Sequence, residues 1–396
     1  MFYKKLSVFI FIALIGSIVS FSVAPTGSAA TKAPFYYASW LPFWKKQNGA
    51  QDISDNLYKF HELSPFSYEV KADGTLVDKL KLTEGFWPSW LSAVRDSGVK
   101  NIPTIAWFDG AGIHKLLSDK KKRIAHEDAI AKLVKDMKFD GIDIDYEAKL
   151  PETKDYFSLF IQGLAIRLHP LGKILSCTIE PRTPLTSLLG GVPKDTRTAN
   201  DYVALNKYCD EVRIMAYDQG LIDGLLDRKK GNGNLYAPVA DPEWVKKTVQ
   251  EALKSISPKK IMLGVPTYGY EYEVSWADGF TTYKRLRSHT FFQAIDRATN
   301  VKAVPLINSA GELSFAYATS TSVGKISPSL TWQISSTQPS FVASTSAQGL
   351  YTRFVSFSDA ESAAQKIALA KKMGLRGVVF FKFDGEQDPL LWGKMK

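Results

Sequence analysis

The stretch "FDGIDIDYE" (139–147) sets four carboxylates, Asp140, Asp143, Asp145 and Glu147, among apolar residues. Burying like charges this close together is costly unless each is paired or protonated. In an extended strand, alternate side chains share a face. Asp143, Asp145 and Glu147 then point one way, and Ile142, Ile144 and Tyr146 the other. A solvated acidic edge would not be interleaved with Phe139, Ile142 and Ile144, and the fixed ligand pattern of a calcium loop is absent. The spacing predicts a strand buried on both faces, with a row of acids along one of them and Glu147 at its C-terminal end.

Working outward, seven more apolar runs read as strands: "FYYASW" (35–40), "LSPFSYEV" (63–70), "NIPTIAWF" (101–108), "KILSCTIE" (173–180), "DEVRIMAY" (210–217), "KIMLGVPTY" (260–268) and "RGVVFFKF" (376–383). Helical segments lie between them. "WPSWLSAVRDSG" has Pro88 near its start and Gly98 at its end, while "DPEWVKKTVQEALKSI" and "DAESAAQKIALAKKMG" each open on an Asp cap. Alternation repeated eight times predicts an α/β fold, the closed (β/α)8 TIM barrel, with chemistry at the C-terminal rim of the strands. Residues 269–358 break the rhythm, at roughly three times the length of an ordinary crossover. There "TFFQAIDRA" looks helical, "ELSFAYA" and "LYTRFVSF" look like strands, and a Ser/Thr-rich stretch has loop character. A small α+β insertion at about 270–355 is expected, building one wall of a cleft.

Lys4 and Lys5 precede an apolar run from Leu6 to Val23, with small residues at Gly27 to Ala30. This is the layout of a secretory signal peptide over residues 1–30, leaving 31–396 as a single barrel domain. An uncleaved N-terminal anchor is the alternative; no later stretch reads as a membrane span. A secreted or envelope-associated protein follows. Hydrophobic residues make up 45% of the 396 and charged residues 23%, enough for a large core and against global disorder. The net charge of +10 is spread along the chain, and the run "KKKR" (120–123) reads as a solvated helix face rather than a nucleic-acid patch. Cys177 and Cys209 lie in apolar segments, where a bridge and two buried thiols are both open.

"DGIDIDYE" resembles the D-G-x-D-x-D-x-E signature of family 18 glycoside hydrolases, the chitinase family, with Asp140 and Gly141 opening the match. "MAYD" (215–218), "KIMLGVPTYGY" (260–270) and "GLRGVVFF" (374–381) are similar to that family's sixth, seventh and eighth strands. "PFSYEVKADGTL" (65–76) is similar to the second strand of bacterial members acting on cell-wall aminosugar polymers. The resemblance implies a (β/α)8 barrel and a retaining mechanism in which the substrate's 2-acetamido oxygen is the nucleophile. It implies Glu147 as acid and base, Asp145 orienting the acetamido group, Asp143 sharing a proton beneath it, and Met215, Tyr217 and Asp218 contributing to the substrate site. No metal or cofactor is implied, and the partner is a polysaccharide or oligosaccharide containing N-acetylglucosamine.

The residues agree with that implication on their own terms. Stacked carboxylates share protons, which raises the pKa of at least one and keeps an acid available near neutrality. One position departs from the family pattern: Phe381 stands where the family usually has a Trp flooring the subsite of the reacting sugar. Phe keeps an apolar face but loses area and the indole N–H. Trp40, Tyr68 and Trp107, near predicted strand ends, are candidates for stacking in other subsites, and Glu180 and Arg182 for subsite contacts. Two functions compete: a glycosidase cleaving β-1,4 bonds at N-acetylglucosamine, in chitin, chitooligosaccharides or peptidoglycan glycan, and a non-catalytic chitinase-like lectin. Such lectins usually lack the acid Glu, which is present here as Glu147.

Overall fold

The computed structural model describes residues 34–231, 233–277, 280–320, 334–335, 338–339 and 350–396. The expected signal segment lies outside them. Eight strands form the scaffold: β1 (Tyr36–Pro42), β2 (Glu62–Val70), β3 (Thr104–Trp107), β4 (Gly141–Tyr146), β5 (Ile174–Ile179), β6 (Glu211–Ile214), β7 (Ile261–Pro266) and β8 (Gly377–Phe381). Each is parallel to the next, and β8 returns to pair with β1, so the sheet closes into the expected barrel. The register of β3 on β4 sets Thr104 opposite Asp143 and Trp107 opposite Tyr146. Gly141 is needed where β4 meets β5, because a Cβ there would lie 2.3 Å from the Ile174 carbonyl oxygen.

The helices begin where the caps suggested. Asp241 accepts from the Glu243 N–H at 2.8 Å ahead of the helix Pro242–Leu253, and Asp359 forms a capping box with Ser362 at the start of Ala360–Lys372. The helix Lys120–Asp136 starts at "KKKR". Lys120 to Lys122 are exposed as expected, but Arg123 is buried, donating to the Leu117 carbonyl at 2.7 Å and lying 3.7 Å from Glu127. It sits one turn into a helix whose inner face packs on the barrel, so its stem is covered. Cys177 in β5 and Cys209 just before β6 form a disulfide, their Cα atoms 6.2 Å apart. The pairing of β5 with β6 brings them within reach.

Between β7 and the last helix lies the expected insertion. Its five-stranded antiparallel sheet runs, in spatial order, Phe280–Thr290, Tyr268–Ala277, Leu350–Phe357, Leu313–Ser320 and Leu306–Ile307, with the helix Phe291–Asn300 beside it. Buried Glu312 ties this sheet to the barrel, accepting from the Val239 and Ala240 N–H groups at 2.9 and 2.7 Å. Strand Tyr268–Ala277 begins two residues after β7, so its first side chains emerge at the barrel mouth.

Core packing among the described residues divides into three compartments, one of them in the insertion around Phe315, Tyr317 and Phe357. A large apolar layer between strands and helices includes Ile142, Ile144, Tyr146, Tyr68 and Trp107. A smaller one inside the barrel includes Ala38, Trp40, Phe66, Ala106, Met262 and Val379. Charge runs up this interior too. Fully buried Arg213 on β6 donates to Ser64 Oγ at 2.6 Å and lies 3.4 Å from Glu62 and 3.5 Å from Asp143. Burial, and then the neighbouring Glu62, push the carboxyl of Glu211, one step lower on β6, well above the usual carboxylate range.

Candidate active site

The acids of β4 climb the interior in the predicted order, each in a different environment. Asp143 is fully buried and saturated with donors: Trp40 Nε1 at 3.1 Å, Thr104 Oγ1 at 2.9 Å, Ser176 Oγ at 2.8 Å and Thr178 Oγ1 at 2.9 Å. With Arg213 beside it, this carboxylate is built to accept. One step up, Asp145 is buried and its Oδ1 has no hydrogen-bond partner. Burial, then the charges of Glu147 and Asp143, push it well above the usual carboxylate range. Glu147, partly exposed at the rim, is pushed up to about 7 by burial and then by Glu180 and Asp218, with Lys149 pulling the other way. Asp140 plays a different part at the opposite end of β4, where its carboxylate accepts from the Asn101 N–H at 2.9 Å.

A clamped turn holds Glu147. Its N–H donates to the Trp107 carbonyl at 2.9 Å, and the next residue, Ala148, takes a left-handed conformation with φ of 53°. That conformation is costly for a residue with a Cβ. Glu180, at the end of β5, compensates by accepting from the Ala148 N–H at 2.9 Å, and is itself held by Asn200 Nδ2 at 2.8 Å. Lys149 then folds back under the turn. Its ammonium donates to the Tyr146 carbonyl, lies 3.6 Å from Glu180 and sits 4.8 Å from the centroid of the Phe157 ring. Burial pulls the Lys149 ammonium below its ordinary range, against the opposing pull of Glu180, Asp145 and Glu147. Sequence reasoning missed Lys149; a cation two residues after an acid looks like an ordinary surface neighbour.

Across the mouth, β6 ends earlier than the sequence suggested. The predicted strand ran to Tyr217, but pairing stops at Ile214, and Tyr217 N–H donates to the Met215 carbonyl at 2.8 Å as the chain curls inward. Asp218 follows with φ of 61°. Two tyrosines of the insertion strand, Tyr268 and Tyr270, donate to Asp218 Oδ1, the latter at 2.8 Å. Their signal was visible as alternation in "YGYEY" (268–272), which puts them on one face. Tyr217 is buried, its ring stacked on Phe381 at 5.5 Å, and its hydroxyl is pushed well above its ordinary range by burial and by Asp145 and Asp218. Phe381 also meets Trp40 and Tyr268 edge-on, at 5.9 and 5.8 Å, while part of its ring stays open to the mouth.

The model of the glycosyl hydrolases family 18 matches residues 35–386. The chain belongs to that family. It is 29% identical over 211 residues to the uncharacterized glycosylase YvbX of Bacillus subtilis, covering 53% of this chain and 55% of that one. It is 29% identical over 182 residues to probable chitinase 2 of Drosophila melanogaster, covering 44% and 35%. The chain thus spans about half the length, or less, of these curated relatives. Among solved structures, the spore cortex-lytic enzyme SleL of Bacillus megaterium superposes with a TM-score of 0.65 at 20% identity, over 93% of this chain and 74% of that one. That likeness carries the barrel fold.

Against this family 18 framework, three expected stacking residues need correction. Trp40 is buried inside the barrel beneath the site, where its indole serves Asp143. Trp107 faces the helices, edge-on to Tyr146 at 5.6 Å, and Tyr68 packs there against Phe139. The reason for Trp107 is parity: it is in register with Tyr146, which points away from the acid row. Tyr68 follows a register shift between Phe66 and Tyr68 that turns it outward. Two aromatics just past strand ends are exposed instead: Phe108, one residue past β3 and 52% exposed, and Trp44, two residues past β1 and 47% exposed. Arg182 is engaged locally, over the Tyr202 ring at 3.8 Å. A cleft of about 640 Å³ lies between the barrel mouth and the insertion, bordered by Trp44, Asp218, Tyr268, Tyr270, Arg285 and Phe381 among others. Another cavity, of about 540 Å³, lies outside the barrel by His126 and Lys132, and none of the mouth residues borders it.

Proposed function

We propose that this protein is an exported glycoside hydrolase cleaving β-1,4 bonds next to N-acetylglucosamine, with chitin-type or peptidoglycan-type glycans as substrates. The observation that carries the reading is the graded acid row. Asp143 is held as an acceptor, Asp145 is buried with its carboxyl pushed well above the usual carboxylate range, and Glu147 is pushed up to about 7 at the rim. A group poised near neutrality can both give and take a proton. In the first step the Glu147 proton passes to the leaving glycosidic oxygen as the C1–O bond breaks, while the substrate's acetamido oxygen closes on C1 to give an oxazolinium ion. Water then adds at C1 as the C1–acetamido oxygen bond opens, losing its proton to the Glu147 carboxylate and restoring the acetamido group. Asp145 is placed to hold the acetamido N–H as positive charge builds, and Tyr217, with the Tyr268–Tyr270–Asp218 cluster, supplies fixed dipoles that need no reorganisation. Phe381 offers an apolar face to the sugar. Support for the glycan class comes from the glycosylase, chitinase and cortex-lytic names of the relatives. The N-terminal Lys-apolar-small pattern supports export.

Reducing-end release from chitooligosaccharides and from purified peptidoglycan tests the proposal. Glu147→Gln should lower turnover by at least ~10², and a glucosamine at the reacting position should block cleavage there. Near-normal turnover of Glu147→Gln overturns the acid assignment; efficient cleavage at glucosamine overturns the substrate-assisted step.

A further inference from the structure

The insertion wall of the cleft carries positive charge that the chemistry at Glu147 does not require. Four cations border the cleft, Lys45, Arg285, Arg287 and Lys382, against one carboxylate, Asp218, which is engaged by tyrosine hydroxyls. Three of the cations have acidic neighbours: Lys45 lies 2.8 Å from Glu386, Lys382 pairs with Asp384, and Arg287 lies 3.6 Å from buried Glu271. Glu271 is also shared with His289 at 2.8 Å and Arg297 at 3.5 Å. Arg285 differs. Its guanidinium lies 4.6 Å from the centroid of the Tyr270 ring, and among the described residues no carboxylate comes within ion-pair distance of it. It is exposed, and Tyr270, the ring beneath it, also holds Asp218.

A guanidinium stacked on an aromatic face keeps its N–H edge free, and that edge matches a carboxylate bidentately. A neutral glycan offers it only hydroxyl and amide oxygens. We propose that Arg285 forms a carboxylate-binding subsite, so that the preferred substrate is an N-acetylglucosamine glycan carrying carboxylates. This inference rests on the glycosidase reading of the same cleft. In peptidoglycan the carboxylates come from two sources: the stem peptides, and the lactyl groups of sugars that carry no peptide, since a peptide-bearing lactyl group is an amide.

The test uses the full chain and three probes: soluble peptidoglycan strands with stem peptides, the same strands stripped of peptides, and chitohexaose, both kinds of strand also as methyl esters. In the parent protein, kcat/KM on the charged strands should exceed that on their esters about tenfold, and Arg285→Ala should abolish most of that ratio, the magnitude expected of a charge-assisted hydrogen bond. Esterification and Arg285→Ala should be non-additive, since each removes the same contact. Raising salt should slow cleavage of the charged strands more than of chitohexaose. A charged-to-ester preference confined to the peptide-bearing strands assigns the subsite to the stem; one that appears in the stripped strands assigns it to the lactyl carboxylate freed there. An Arg285→Ala protein that keeps the full charged-to-ester ratio overturns the subsite. Should the parent cleave none of the probes, the glycosidase reading fails. Equilibrium binding to the charged strands and their esters then decides the subsite, and equal affinity for the two overturns it.

Discussion

Burial first, and then the opposing charges that meet at one turn, push Glu147 up to about 7, and that balance of charges can be moved either way. Burial and the carboxylates of Glu180 and Asp218 raise it; the Lys149 ammonium lowers it. The charged groups facing it are Asp145 from its own strand, Glu180 from the end of β5, Asp218 beyond β6, and Lys149 under the turn. A unit charge roughly 5–10 Å away, at an effective dielectric constant of about 20, is worth about 2–3 kcal/mol. Since ~1.4 kcal/mol corresponds to one pH unit, and the partial exposure of Glu147 screens part of the interaction, a change of about one pH unit is expected from either neighbour. Glu180→Gln removes a negative charge and keeps an oxygen for the Ala148 N–H. With Glu147 as the proposed general acid, its protonated form is the active one, and activity should be lost as pH rises through its titration. The alkaline limb of kcat/KM should move to lower pH in Glu180→Gln and to higher pH in Lys149→Met. The assay is kcat/KM on a chitooligosaccharide from about pH 4 to 10, with melting temperature recorded for each variant. Limbs that move in the same direction, or not at all while turnover falls, would refute the electrostatic account and leave these residues as backbone clamps.

Two further outcomes follow from the aromatic placements. Phe381→Ala should weaken substrate binding by about 1–3 kcal/mol, while Phe381→Trp, whose extra ring can extend into the open mouth, should preserve or improve turnover. A large fall in melting temperature of Phe381→Trp would show that the ring only fills the barrel. Trp107→Ala should cost about 3–5 kcal/mol of stability in urea unfolding, whereas Phe108→Ala should leave unfolding nearly unchanged and raise KM; the opposite pattern would return Trp107 to the substrate site.

Strand alternation around Asp143, Asp145 and Glu147 was enough to place the acid row, because period-two patterning in a doubly buried strand admits one arrangement. Repeated strand–helix units, with their Asp caps and the long interval after β7, determined the barrel and its insertion in the same local way. Local patterning could not determine which aromatics reach the mouth. Trp107 and Phe108 are adjacent, and only the register of β3 on β4 turns the first to the helices and leaves the second exposed. Nor could it pair Cys177 with Cys209, seat Lys149 beneath Glu147, or bring Tyr270 to Asp218 across 52 residues of chain. Those contacts join side chains from separate strands at one end of a closed barrel. Their energies depend on burial and on distances across the barrel, quantities that exist only once the sheet has closed.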